Sequence, residues 1–316
     1  MLSLPQAGLL RQGCLQNLRS LEFQNCTSLE VLPPIGDLFP DCQNLRIWDL
    51  PNLRKFSSLP PSLTFLNISS CGSLVFVSKE EVEERIEDIF GAKKKMELIL
   101  PSSLQVLSIE SCDITEGALS QSLKRLTSLE SLSLKKINTI TTLPSEEILR
   151  HLISLTGLHI SNCPRLKLVG GLYALPSLEE LTLCDYDCLE LEMVMPAGEG
   201  GGRAIVPPSL QRLNISKCSR MKSFVVGAGD LPNLASLIFH DCPSLASLSL
   251  SPLTALEGLI IYNCPGILSL PDHLPESLES ISILECPVLK ERCRSPNGED
   301  WPKIAHIPHI YIFDHN

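Results

Sequence analysis

The sequence predicts an α/β solenoid: a curved coil of short repeats, with a parallel sheet on its concave face and mostly irregular or short helical convex segments. Three observations predict it. A pair of apolar residues in the pattern Leu-x-Leu, with Ile or Phe replacing leucine in several copies, recurs eleven times, eight of the ten steps being 21–26 residues. A cysteine stands three residues after eight of those pairs. Finally, the hydrophobic fraction is 44% but aromatics are only 5%, so one aliphatic residue type, leucine, has to build most of the core. Repetition of this kind is the mark of stacked units rather than of one closed core.

The template is clearest in Leu15-x-x-Leu18-x-x-Leu21-x-Phe23-x-x-Cys26. It returns at Leu63-x-x-Leu66-x-Ile68-x-x-Cys71 and at Leu104-x-x-Leu107-x-Ile109-x-x-Cys112. Other copies have their pairs at Leu45/Ile47, Leu132/Leu134, Leu158/Ile160, Leu181/Leu183, Leu213/Ile215, Leu237/Phe239, Leu259/Ile261 and Ile281/Ile283. Successive pairs are 24, 21, 41, 25, 26, 23, 32, 24, 22 and 22 residues apart. Eight of these ten steps lie within the roughly 20–29 residues of a leucine-rich repeat. One domain over 1–316 is expected, with about eleven repeats in 15–293 and a C-terminal cap in 294–316.

Each element follows from spacing. Period two puts both members of a Leu-x-Leu pair on one side of a short strand. A single repeat cannot bury that side alone, so neighbours stack and the strands run parallel. The long steps carry insertions. Residues 79–97, KEEVEERIEDIFGAKKKME, have an apolar helical stripe, leading acids and trailing lysines, which predicts a helix. Residues 196–203, PAGEGGGR, read as a flexible loop.

Cys26, Cys71, Cys112, Cys163, Cys218, Cys242, Cys264 and Cys286 share one repeat position, where a small apolar thiol suits a packed turn. These eight read as structural. With thirteen cysteines in all, an odd count, the chain is expected to keep reduced thiols in the cytoplasm or nucleus. The spacing of Cys286, Cys293, His306 and His309 is too loose for a zinc motif, so no metal is expected. Three Asn-x-Ser/Thr sequons, at Asn25, Asn67 and Asn214, fall where polar strand positions meet Ser or Thr and read as chance.

Function classes narrow accordingly. With 26 Lys+Arg against 36 Asp+Glu the formal charge is −10, which argues against nucleic acid as a partner. No apolar run approaches the ~20 residues of a membrane span. There is no Gly-x-Ser-x-Gly, no His-Glu-x-x-His and no glycine-rich dinucleotide loop, so an enzyme is not expected. Protein binding remains. Positions alternating with the buried pairs face outward on the concave side and are the candidate binding surface. In the first half they are polar: Glu22, Arg46, Trp48, Glu110, Ser133 and Lys135. Towards the end they turn apolar: Ile238 and His240, Ile260 and Tyr262, then Leu284. Cap residues or Trp301 folding over this patch is the competing expectation.

The recurrent Leu-x-x-Leu-x-Ile-x-x-Cys-Pro-x-Leu, as at Leu155 to Leu166, and the terminal Cys286-Pro-Val-Leu-Lys-Glu-Arg-Cys293 followed by Gly298-Glu-Asp-Trp301-Pro-Lys-Ile-Ala-His306-Ile-Pro-His-Ile310, carry a resemblance. They are similar to the repeats of plant coiled-coil, nucleotide-binding, leucine-rich-repeat disease resistance proteins, especially those of cereals. The resemblance covers essentially the whole chain. It implies an intracellular immune receptor whose repeats recognise a pathogen effector or a guarded host protein. It also implies that the repeats hold an upstream nucleotide-binding domain in its ADP-bound resting state. ADP or ATP is implied only for that upstream domain, because these 316 residues contain no Gly-x-x-x-x-Gly-Lys-Ser/Thr loop. Two other readings stay open. Leu107-Ser-Ile109-Glu-Ser-Cys112-Asp-Ile-Thr-Glu-Gly117 resembles the repeats of F-box ubiquitin-ligase receptors. A repeat scaffold with no signalling role is the other.

Overall fold

The computed structural model describes residues 17–54, 58–72, 100–166, 171–185, 191–192, 206–227 and 231–313. The expected helix at 79–97 and loop at 196–203 lie outside them. The chain divides into two compact units: Met1–Leu155 with Arg165–Lys167, and Thr156–Pro164 with Leu168–Asn316.

In the first unit, β1 (Ser20–Gln24), β2 (Asn44–Trp48), β3 (Phe65–Ser69), β4 (Val106–Glu110) and β5 (Ser131–Lys135) pair in chain order, all parallel. The register matches repeat position to repeat position, so Leu45 pairs with Leu66, Leu66 with Leu107 and Leu107 with Leu132. These leucines, with Ile47, Ile68, Ile109 and Leu134, are at most 2% exposed. The connections carry α1 (Ile35–Leu38), α2 (Glu116–Leu123) and α3 (Glu146–His151). Helix α2 begins at Thr115, whose hydroxyl accepts the Ala118 N–H at 3.2 Å, an N-cap of the usual kind.

The second unit repeats the scheme. Strands β6 (Gly157–Ser161), β7 (Glu180–Cys184), β9 (Arg212–Ser216), β11 (Ser236–His240), β13 (Gly258–Tyr262), β14 (Ser280–Leu284) and β15 (His309–Phe313) form a parallel sheet in that order. On the connecting side, β8 (Leu191–Glu192), β10 (Ser223–Val225) and β12 (Ser247–Leu248) make a small parallel sheet of their own. A short 3₁₀ turn spans Leu172–Ala174. Each of the eleven apolar pairs found in the sequence lies inside a strand. Strand β15 goes beyond them, because the segment expected as a cap supplies one more parallel strand, preceded by α4 (Pro287–Arg292) and α5 (Trp301–Ile304).

One backbone feature makes the repeat work. The residue just after each of the eleven strands carrying those pairs has a positive φ of 48–58°, from Asn25 through Lys136 and Lys217 to Glu285. Six of these are Asn or Asp, which tolerate the left-handed region best after glycine, while Lys136, Lys217 and Glu285 sit there against preference. The conformation turns the N–H towards the neighbouring strand. Lys217 N–H donates to the His240 carbonyl at 2.8 Å, and Asn263 N–H to that of Leu284 at 2.9 Å. At the other end of the strand, one carbonyl accepts two N–H groups of the next repeat, as Glu257 does from Glu279 and Ser280 at 2.9 Å each. The chain therefore leaves each strand by a fixed path, with backbone groups at both strand ends bonded to the neighbouring repeat.

The cysteine position follows directly. Cys71, Cys112, Cys163, Cys218, Cys242, Cys264 and Cys286 are buried and Cys26 is half-buried. Seven of the eight Sγ atoms donate back to the carbonyl two residues earlier, for example Cys112 to Glu110 at 3.2 Å and Cys264 to Tyr262 at 3.3 Å, and Cys286 Sγ reaches the Ile261 carbonyl at 3.9 Å. Cys286 Sγ in turn accepts the Cys264 N–H at 3.3 Å. The eleven described cysteines carry thiols rather than disulfides. Burial pushes the Cys71 thiol up and that of Cys112 up to about 12.

Candidate interaction surface

Strand alternation decides which side chains are available. The second and fourth residues of each paired strand go inward, and the first, third and fifth line the outward face. All ten candidate residues hold those outward positions.

In the first unit the outward face is polar and largely satisfied by its own members. Trp48 Nε1–H donates to Glu22 Oε1 at 2.8 Å. The Arg46 guanidinium lies over the Phe65 ring, 5.3 Å from its centroid. Glu110 pairs at 2.8 Å with Lys136, the left-handed residue after β5, rather than with Lys135 beside it in register.

The second unit differs. Register places Ile238 beside Ile260, and Ile260 beside Ser282, which faces Tyr311 on β15. The next row runs His240, Tyr262, Leu284 and Phe313. The rings of His240 and Tyr262 stack with centroids 4.6 Å apart. Tyr311 and Phe313 are 52% and 45% exposed, so the apolar patch extends to the last strand. The patch thus runs past Leu284, where the sequence expectation ends, and the alternation in His309–Phe313 is the signal for the extension. Trp301 does not cover this face. It shares a depression with Cys293, Ile310 and Ile312, on the opposite side of β15 from Tyr311 and Phe313.

Beside the patch lies a trench of about 390 Å³. Its floor is the row of small first positions, Ser236, Gly258 and Ser280, and its ends are Arg212 and His309. Gln211, Ala235, Glu257 and Glu279, the residues preceding each strand, form one wall. Arg212 is held at 3.4 Å by Glu180.

The segment behind this sheet is fixed by one buried carboxylate. Asp300 is 1% exposed and accepts hydrogen bonds from Arg292 Nε and Nη2 at 3.0 and 3.2 Å and from the Leu270 N–H at 3.0 Å. Lys303 Nζ stands 3.0 Å away and also donates to the Leu270 carbonyl at 2.8 Å. Burial by itself pushes the Asp300 carboxyl up, but Arg292, the Leu270 N–H and Lys303 outweigh it and hold the group below its ordinary range. Among the described residues, no three His, Cys, Asp or Glu side chains are placed to hold a metal ion. Cys286 and Cys293 are buried, whereas His306 and His309 are exposed. No described helix is long and apolar enough to cross a membrane.

No protein-family description and no curated protein matches the sequence. Solved structures do. TLR13, in its complex with ssRNA13, is 15% identical over 95% of this chain and 44% of its own, with a TM-score of 0.54. The fold is a leucine-rich-repeat solenoid. The leucine-rich-repeat domain of the type III effector XopL is 20% identical, over 86% of this chain and 77% of its own, with a TM-score of 0.42. The functional domain of InlJ from Listeria monocytogenes, which includes a cysteine ladder, is 15% identical over 86% of this chain and 64% of its own, with a TM-score of 0.43. The chain thus spans less than half the length of TLR13.

Proposed function

We propose that this leucine-rich-repeat chain is a protein-binding module that docks its partner on the outward face of the Thr156–Asn316 sheet. The observation that carries the reading is the contiguous apolar patch of Ile238, His240, Ile260, Tyr262, Leu284, Tyr311 and Phe313. Its members are half-buried or exposed, and large exposed apolar patches mark interaction sites. Tyrosine is also among the residues that most often dominate binding energy. Burying each large side chain contributes ~1.5–3 kcal/mol before association costs.

The finer reading rests on the sequence resemblance. The module belongs to an intracellular plant immune receptor, where it recognises an effector or guarded host protein and restrains an upstream nucleotide-binding domain. The test is to make Ile260→Glu and Tyr262→Ala in the full-length receptor and follow melting temperature, partner binding and resting activity. Lost binding at unchanged melting supports docking on this face. Signalling without a pathogen identifies the face as the restraining contact. A large fall in melting temperature, or no change in any readout, overturns the reading.

A further inference from the structure

The trench beside the apolar patch has a chemistry of its own. Three consecutive strands begin with residues whose side chains are small or absent, Ser236, Gly258 and Ser280, so the sheet surface is low there. One step along each strand stands the apolar row of Ile238 and Ile260, which gives the trench a hydrophobic bank. The other bank carries two exposed carboxylates, Glu257 and Glu279, neither in an ion pair with a described residue. Their spacing is that of adjacent strands, roughly 5 Å. The positive group in the trench, Arg212, is already engaged by Glu180. At the far ends of the strands, after Ser216, His240, Tyr262 and Leu284, stand Lys217, Asp241, Asn263 and Glu285, and Asp241 accepts the Asn263 Nδ2–H at 2.6 Å, so the acidic edge offered to a partner is the Glu257–Glu279 side.

A low bed of small residues, with an apolar bank on one side and two carboxylates on the other, fits a side chain with an aliphatic stem and a cationic head, which is what arginine and lysine present. Arginine in addition offers a planar fork of donors that suits two carboxylates held on neighbouring strands. We infer that the patch and trench together receive a basic segment of a partner protein, with an apolar anchor on Tyr262 and Ile260 and an arginine or lysine beside it on Glu257 and Glu279. This rests on the docking face proposed above and adds the sign of the partner. The acidic rim repels phosphate backbones and acidic partners, so it acts as a selector as well as a contact.

The probes are two short synthetic peptides that share a Leu-Trp core and carry either arginines or glutamates beside it. Binding is measured by fluorescence anisotropy at low and high salt, to the full chain and to two variants. The arginine peptide is expected to bind about tenfold tighter than the glutamate peptide at low salt, and the difference is expected to shrink as salt rises. In Glu257→Gln combined with Glu279→Gln the preference is expected to fall below about twofold with melting unchanged, since both carboxylates are exposed. Ile260→Glu keeps the rim and removes the anchor bed. If it leaves arginine-peptide binding intact, the docking face itself is wrong. Binding lost on Ile260→Glu, together with equal affinity for the two peptides or an unaltered preference in the double Gln variant, overturns only the basic-segment inference. Failure of both peptides to bind overturns it as well.

Discussion

The imidazole of His240 lies flat against the phenol ring of Tyr262, their planes 25° apart, because the two residues are register partners on adjacent parallel strands. The stack is surface chemistry held in place by a buried scaffold one residue away. Leu237 and Phe239 beneath it are fully buried. Leu237→Ala should therefore cost ~2–5 kcal/mol in denaturant unfolding, while Tyr262→Ala should cost no more than ~1.5 kcal/mol, the scale of a stacked pair. Equal losses at the two sites would mean that Tyr262 belongs to the core.

Asp300 makes a pH-dependent contribution whose sign is fixed. Its carboxyl is held below its ordinary value of 3.8, so the stabilisation is fully present above that value and is lost as pH falls through the lower, folded one. Thermal melts should show this component flat from neutral pH down to about pH 4 and falling below it. Asp300→Asn should remove that acid limb and, by leaving Arg292 and Lys303 without their shared anion, cost about 3 kcal/mol at neutral pH. An Asn variant with the parent's stability would show that the cluster contributes nothing net.

Gly298 tests the same corner sterically. A Cβ there would overlap the Arg292 carbonyl, which is backbone and cannot swing aside. Gly298→Ala should lower the melting temperature, and the loss should be sub-additive with Asp300→Asn because both act on one contact. Full additivity would place the two effects in separate structures.

The left-handed residues after each strand give a fourth measurement. Lys217, with φ 55°, sits in a region that costs most side chains ~1–2 kcal/mol, so Lys217→Asn should stabilise the chain by roughly 0.5–1 kcal/mol. Asn162→Val should destabilise it by ~1–2 kcal/mol for the converse reason. Identical denaturation midpoints for all three proteins would mean that the turn relaxes.

Thiol reactivity should follow burial. Among the described cysteines, Cys26 and Cys184 are half-buried and the rest are buried. Peptide mapping after brief alkylation at pH 8 should find these two modified first. Cys112, whose thiol burial pushes up to about 12, should stay intact until the chain unfolds. Early labelling of Cys112 would contradict its placement inside the coil.

Strand positions were legible because a period of two within a period near 24 is hard to produce by chance, and packing then fixes which side is buried. The cysteine position was legible for the same reason. The positive φ after each strand was not, because Asn, Asp, Ser, Lys and Glu all occupy it and only the backbone reveals the shared conformation. Strands of two or three residues such as Leu191–Glu192 and Ser247–Leu248 are too short to carry a periodic signal. Of the outward patch, Ile238 to Leu284 could be read directly from alternation. Tyr311 and Phe313 were hidden by their place after a proline-rich stretch that reads as a terminus, and the trench was hidden because it depends on Gly258 standing beside Ser236 and Ser280 in register.

From the first residue of a strand to its cysteine position the spacing is constant, and the left-handed residue between them directs its N–H to the next strand in sequence. The long intervals of 41 and 32 residues both lie after that position and before the following aliphatic pair. Length is thus free to vary in one half of each turn and locked in the other. Adding or deleting a whole turn preserves every local bond, whereas a single residue inserted between Ile260 and Cys264 would shift a side chain from the wet face to the dry one and break the backbone ladder on both sides. Such a chain can lengthen or shorten its reading surface in discrete steps without having to reinvent how it folds.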